Sequence, residues 1–298
     1  MRSELSRLLK KPKNRLLARA ARERGIEFTG SYRAATVRER RFGGLFQKPV
    51  RVLILIPVLS ALSYAQGRNG QPPAPAKATA PVDLTGYWVS VVTEDWRYRM
   101  VTPAKGDYPS IPFNAEGRRA ADSWDPAKDE AAGEQCKSYG AGNVMRVPER
   151  LRIVWEDDRT LRIDTDAGEQ TRLLHFGEWK PQGGPRTWQG DSAAQWEYAG
   201  PRGRGGAVSA GTQRAGDLKV VTTRMRPGYL QKNGVPYSEN AIVTEYLHRW
   251  TEPNGDAWML VITQVDDPQY LNNRFVRSTH FKRLADSSGW NPSSCSAR

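Results

Sequence analysis

Few residues in this chain combine type and spacing in a way that could do chemistry. Pro236-Tyr237-Ser238-Glu239 places a phenol, a hydroxyl and a carboxylate side by side just before a strand. A carboxylate there could act as a general base if burial raised its pKa, or Ser238 and Glu239 could simply satisfy backbone groups at the strand entrance. Asp266-Asp267-Pro268 pairs two carboxylates that could bind calcium or cap a turn, and the proline favours the turn. His175, His248 and His280 fall on three different strands, so register decides whether they meet as a metal or acid–base site. No C-x-x-C occurs, and there is no G-x-S-x-G elbow, phosphate loop, H-E-x-x-H or dinucleotide fingerprint. The familiar enzyme routes find no support, and no cofactor or bound metal is expected. Cys136 and Cys295 could pair in an oxidising compartment or stay as two thiols.

The elements that must position these groups are strands. From Leu84 onward, short alternating runs are separated by turn residues roughly every 8–12 positions, the texture of an all-β sandwich or barrel. Residues 150–176 read as a three-strand meander, with Leu151, Ile153 and Trp155, then Leu161 and Ile163, then Leu173 and His175 on one face. Further strands are expected at Leu84–Val92, Arg97–Val101, Trp188–Tyr198, Leu218–Met225, Ile242–Trp250, Trp258–Val265 and Phe275–Arg283. Asn254-Gly255 marks a tight hairpin. The fold class is therefore all-β, a single antiparallel β-barrel of about 8–10 strands, because a sheet that large closes to remove its edges. Thr102–Asn143 is a long loop with one short helix at Asn114–Trp124, capped by Asn114.

Charge is unevenly spread along the 298 residues. The formal net charge of +13 comes from 45 Lys plus Arg against 32 Asp plus Glu, and residues 1–51 hold 15 basic and 4 acidic side chains of that total. The rest carries 30 against 28, so no chain-wide basic stripe exists and a nucleic-acid partner is not expected. The loop at Gly200–Gly216, with Arg202, Arg204 and Arg214, reads as solvated. Residues 1–51 form a basic leader, long enough to point to a misassigned start codon, with Leu45 or Val50 as candidates. The apolar run 52–65 then reads as a signal-peptide hydrophobic region ending in Ser63 and Ala65. Fourteen residues span roughly 21 Å as a helix, less than the ~30 Å hydrocarbon core, so no stable membrane span is expected after cleavage. A periplasmic or secreted protein follows, with a Pro/Ala-rich linker at 66–82, a barrel domain at 83–285 and a tail at 286–298.

Gly86-x-Trp88, at the start of the first strand, resembles the signature of lipocalins and other calycin barrels. The resemblance implies a Trp88 that closes the barrel base beneath a basic side chain from the last strand, here Arg277 or Arg283. Asp125 to Cys136, Met145-Arg146-Val147-Pro148, Trp188-x-Gly190 with Gln195-Trp196-Glu197, Pro236 to Glu239 and Asp266-Asp267-Pro268-x-Tyr270 complete an order of motifs. That order looks like a group of exported bacterial β-rich proteins of unknown function. It speaks to compartment and fold class and supplies no mechanism.

Ten tryptophans in a nearly neutral body exceed what a core of this size requires. The leading expectation is an exported barrel binding a small hydrophobic or aromatic ligand, with Trp88, Tyr237, Glu239, Tyr246 and Trp258 as candidate contacts. One alternative is a barrel hydrolase or isomerase using Glu239 or a histidine. The other is an envelope structural or interaction protein whose partner the chain does not name.

Overall fold

Nine strands close into a barrel. The computed structural model describes residues 74–181, 183–198 and 216–298, all within one compact unit. The basic leader, the apolar run, the first part of the linker and the arginine-glycine loop lie outside the described residues. The strands are β1 (Gly86–Val91), β2 (Arg150–Trp155), β3 (Thr160–Thr165), β4 (Thr171–Phe176), β5 (Asp191–Tyr198), β6 (Gly216–Thr223), β9 (Ile242–Thr251), β10 (Ala257–Asp266) and β11 (Phe275–Leu284), and they follow one another round the barrel in the order β1-β11-β10-β9-β6-β5-β4-β3-β2. A separate hairpin, β7 (Gly228–Gln231) and β8 (Val235–Tyr237), was not visible in the periodicity.

An all-β single barrel is thus what the chain forms, and antiparallel pairing holds at every seam except β4–β5, which is parallel. The exception is geometric. Strand direction cannot alternate all the way round an odd-numbered ring, so nine strands require one parallel seam. The connection between Phe176 and Asp191 supplies the crossover length that a parallel pair needs. At the β9–β10 hairpin, Gly255 takes a φ of +89°, the positive value its turn demands.

The long loop is more helical than expected. The whole connection from β1 to β2 carries α1 (Trp96–Met100), α2 (Ala115–Asp122) and α3 (Pro126–Ala131), followed by two 3-10 turns at Gln135–Tyr139 and Val144–Arg146. Asn114 caps α2 by accepting a bond from the Gly117 N–H at 2.8 Å, and Asp125 caps α3 with Pro126 at its first position. Residues 97–101, read as a strand, instead belong mostly to helix α1, for a reason given below.

Two apolar clusters hold the molecule. The first fills one half of the barrel around Trp88, Leu151, Ile153, Leu161, Ile163, Leu174, Leu218, Leu247, Met259 and Phe281. Each such buried side chain contributes about 1.5–3 kcal/mol relative to exposure. The second joins Val243, Val265 and Phe275, at the other end of the strands, to Tyr108, Ala121, Leu230 and Tyr237 of the loop and hairpin. The loop and hairpin therefore cap one end of the barrel. At the opposite end, residues 74–82 fold back onto the wall: Trp196 Nε1 donates to Ala76 O at 2.9 Å, and Ala76 and Val82 pack against the first cluster. The tail returns to the cap end, where Ser293 bridges Ala167 and Cys295 is joined to Cys136 by a disulfide.

Candidate functional site

Between the two apolar clusters lies a layer of polar side chains, and each of the nine strands reaches it. Alternation places residues two apart on the same face. Along β9 the inward positions run Leu247, Glu245, Val243, which is apolar, charged, apolar. On β10 they run Val261, Thr263, Val265, and on β11 Phe281, Thr279, Arg277, Phe275. The same change of character occurs at Thr222 on β6, Ser192 on β5, Arg172 on β4, Thr165 on β3, Glu149 just before β2 and Ser90 on β1. Neighbours in the register confirm the common height: Ser192 faces Thr222, and Thr263 faces Glu245.

Part of this layer is satisfied. Arg172 forks onto Glu245, with Nη1 to Oε1 at 3.1 Å and Nη2 to Oε2, and Nη2 also donates to Thr222 Oγ1 at 3.3 Å. Ser192 and Thr222 hydroxyls lie 2.8 Å apart. Other members have bonds still to make. Among the described residues, both carboxyl oxygens of Glu149, Nε of Arg172 and the Tyr237 hydroxyl are buried without a partner. Burial pushes the Glu149 carboxyl well above the usual range, and the charge of Asp166 adds to this against Arg172 and Arg99. Tyr237 is likewise raised, chiefly by burial.

At the rim of the layer, α1 is built inside out. It buries Arg99 and leaves Trp96 and Met100 about 65% and 59% exposed, with Val101 after it at 64%. Ordinary amphipathic helices do the reverse. Arg99 is drawn in by three partners, donating to Arg146 O at 2.9 Å, Glu94 at 2.8 Å and Ser90 Oγ at 2.7 Å. Those bonds favour a helix where alternation alone predicted a strand. Arg146 donates to Asp95 Oδ2 at 2.9 Å, and Arg277 Nε lies 3.3 Å from the same oxygen. Burial, with the Arg99 charge next, lowers the pKa of Arg146 to about 10.

A cleft of about 580 Å³ opens beside this rim, lined by Val89, Ser90, Val92, Met100, Pro148, Glu149, Arg150, Asp166, Ala167, Asn291 and Ser293. Ser90 and Glu149 belong both to this cleft and to the buried layer. A recess of about 20 Å³ lies nearby between Arg99, Asn143, Arg146 and Lys232.

The five residues nominated from sequence do not gather at one place. Trp88 is fully buried in the first apolar cluster, where its Nε1 donates to Leu84 O and the Arg283 guanidinium carbon lies 6.0 Å from its ring centre. Gly86, at φ +114°, leaves room for that Arg283 side chain, which passes 3.2 Å from where a Cβ would stand. Tyr237 is buried in the cap. Glu239 is exposed and lies 3.3 Å from Arg186, while Tyr246 and Trp258 are on the outer wall under Lys219 and Lys282.

The histidines also point outward and apart. His175 stacks on Trp179, His248 lies 2.6 Å from Asp217, and His280 is 3.4 Å from Glu94. Among the described residues no group of three His, Cys, Asp or Glu side chains could hold a metal. Asp267 takes the turn role, accepting from the Ser238 N–H at 2.6 Å and the Ser238 hydroxyl at 2.8 Å.

The residues that sequence reasoning missed are Arg99, Glu149, Arg172 and Glu245. A usable signal was present for Glu245: a charge at the same parity as Val243 and Leu247 in an otherwise apolar row. No family model, curated protein or solved structure matches the chain.

Proposed function

We propose that the protein is an exported binding barrel, periplasmic or secreted, that takes a small hydrophobic or aromatic ligand at its capped end. The observation that carries this is α1, which holds Met100 in solvent at the edge of the cleft while its arginine is turned inward. Exposed apolar side chains beside a concavity, with polar groups beneath them that still have bonds to make, match the mixed lining of a small-molecule site. The ligand's apolar body would lie against Val89, Val92, Met100 and Pro148, and its polar end would face the buried layer. None of the five nominated residues lines this cleft: Trp88 is in the barrel core, Tyr237 in the cap, Tyr246 and Trp258 on the outer wall, and Glu239 on an exposed turn.

Tryptophan fluorescence and melting temperature, recorded with decanoate, 2-naphthol, 2-naphthoate and a short-chain quinone, test the reading. A saturable response to at least one probe, weakened by Met100→Asp, is the expected result. A flat response to every probe would remove its support.

A further inference from the structure

Three guanidinium groups converge at the rim of the barrel, and among the described residues only two carboxylates, Glu94 and Asp95, are ion-paired with them. The side chains of Arg99, Arg146 and Arg277 are 2%, 4% and 19% exposed, so each has given up most of its water. Arg99 has Glu94, but Arg146 and Arg277 share a single oxygen of Asp95. Among the described residues, Nε of Arg277 is buried without a well-formed hydrogen bond. Guanidinium forks of this kind are suited to carboxylates. Besides the shared oxygen, Arg146 Nη1 reaches Ser278 O at 3.4 Å and Arg277 Nη1 donates to Val276 O at 3.0 Å, so neither fork holds a whole carboxylate.

Asp95 itself is an unusual counter-ion. It occupies the N-cap position of α1 at a left-handed φ of 47°, and its side chain makes no capping bond there. An aspartate at that position ordinarily accepts from the helix N–H groups. This one is turned to the arginines instead, and it is 39% exposed, the most open member of the cluster. Its carboxylate stands where an incoming acid would have to bind.

An apolar cleft lies next to the arginines, because Pro148 lines both it and the recess between Arg99 and Arg146. Ser90 accepts from Arg99 and also lines the cleft of about 580 Å³ that holds Val89, Val92 and Met100. That cleft is the nearest apolar concavity for the body of an acid whose head displaced Asp95, by way of Ser90 and Pro148.

We propose that Arg146 and Arg277, backed by Arg99, receive the carboxylate of an aromatic or aliphatic acid, and that Asp95 fills this receptor until the acid displaces it. The inference deepens the binding reading and rests on it. Binding is then a competition between two carboxylates for one set of donors. Removing the resident one strengthens the other.

Isothermal titration of the purified full chain with 2-naphthoate, its neutral amide and 2-naphthylmethylammonium tests this. We expect 2-naphthoate to bind about tenfold or more tightly than either isostere, the scale of a charge-assisted pair. Arg277→Gln should remove that preference, weakening 2-naphthoate about tenfold and the amide far less. Asp95→Asn should tighten 2-naphthoate several-fold, a sign that a merely structural Asp95 would not produce. Should Arg277→Gln unfold, the direction of the Asp95→Asn effect decides. Equal binding of acid and amide, or weaker acid binding in Asp95→Asn, overturns the carboxylate receptor and leaves the binding barrel standing. Failure of all three probes together with decanoate and the quinone overturns both.

Discussion

Arg172 on β4 and Glu245 on β9 meet across the barrel interior, spanning the two strands that separate them in the wall, and each side chain is 1% exposed. Removing one member of such a pair leaves an uncompensated charge in a place water does not reach. Glu245→Ala should therefore destabilise the fold by about 3–5 kcal/mol. The double replacement Arg172→Met with Glu245→Leu should recover most of that loss, because two apolar groups need no partner. Urea unfolding of the single and double variants measures both quantities, and a double variant as unstable as Glu245→Ala would contradict the account.

The Cys136–Cys295 bridge joins residues 159 apart, fastening the tail to the cap. A loop of that length restricts the unfolded chain strongly. Cys295→Ser should cost about 2–5 kcal/mol. Thermal unfolding of the wild type with and without reductant should show a matching drop, and the variant should be insensitive to reductant.

Tyr237 is pressed against backbone. A Cβ on Gly140 would lie 2.2 Å from its hydroxyl oxygen, and one on Gly228 would lie 2.5 Å away. Gly140→Ala should cost about 1–3 kcal/mol through overpacking. Because the hydroxyl has no partner among the described residues, Tyr237→Phe alone should be close to neutral, and it should relieve much of the Gly140→Ala penalty. Additive losses in the double variant would rule out the steric account.

Glu149 makes stability depend on pH in an unusual direction. Its folded-state pKa is raised well above the ordinary value of 4.5, so the folded protein holds the proton more tightly than the unfolded chain does. The resulting stabilisation is complete below the unfolded pKa and is lost as pH rises through the folded pKa. Glu149→Gln keeps the neutral shape without that loss. Melting temperatures of the two proteins should diverge in favour of the variant as pH increases from about 4.5. Parallel profiles would indicate that the carboxyl is not held protonated.

Much of the wall could be read directly. Leu151 and Ile153, then Leu161 and Ile163, lie inside as their alternation requires, and Gly255 turns the hairpin that Asn254-Gly255 announced. On β4 the reading chose the wrong face. Leu173 and His175 point outward, whereas Arg172, Leu174 and Phe176 point in. A slip of one residue reverses every side chain of a strand, and an arginine among the inward positions disguised the true row.

The site was less legible for the same reason. Arg172 belongs inside only because Glu245, 73 residues further on, is there to meet it. Arg99 turns α1 inside out only because Ser90, Glu94 and the Arg146 carbonyl converge on it.

Local alternation and turn chemistry were enough to determine an all-β chain and the nine strands of its barrel, because a strand's two faces and a hairpin's backbone angles depend on neighbours in sequence. Which charged residues would be buried, and which apolar ones left in solvent, was decided by tertiary structure alone. Burying a charge is favourable only where its partners already stand, and decisive ones, Glu245 for Arg172 and the Arg146 carbonyl for Arg99, lie far along the chain.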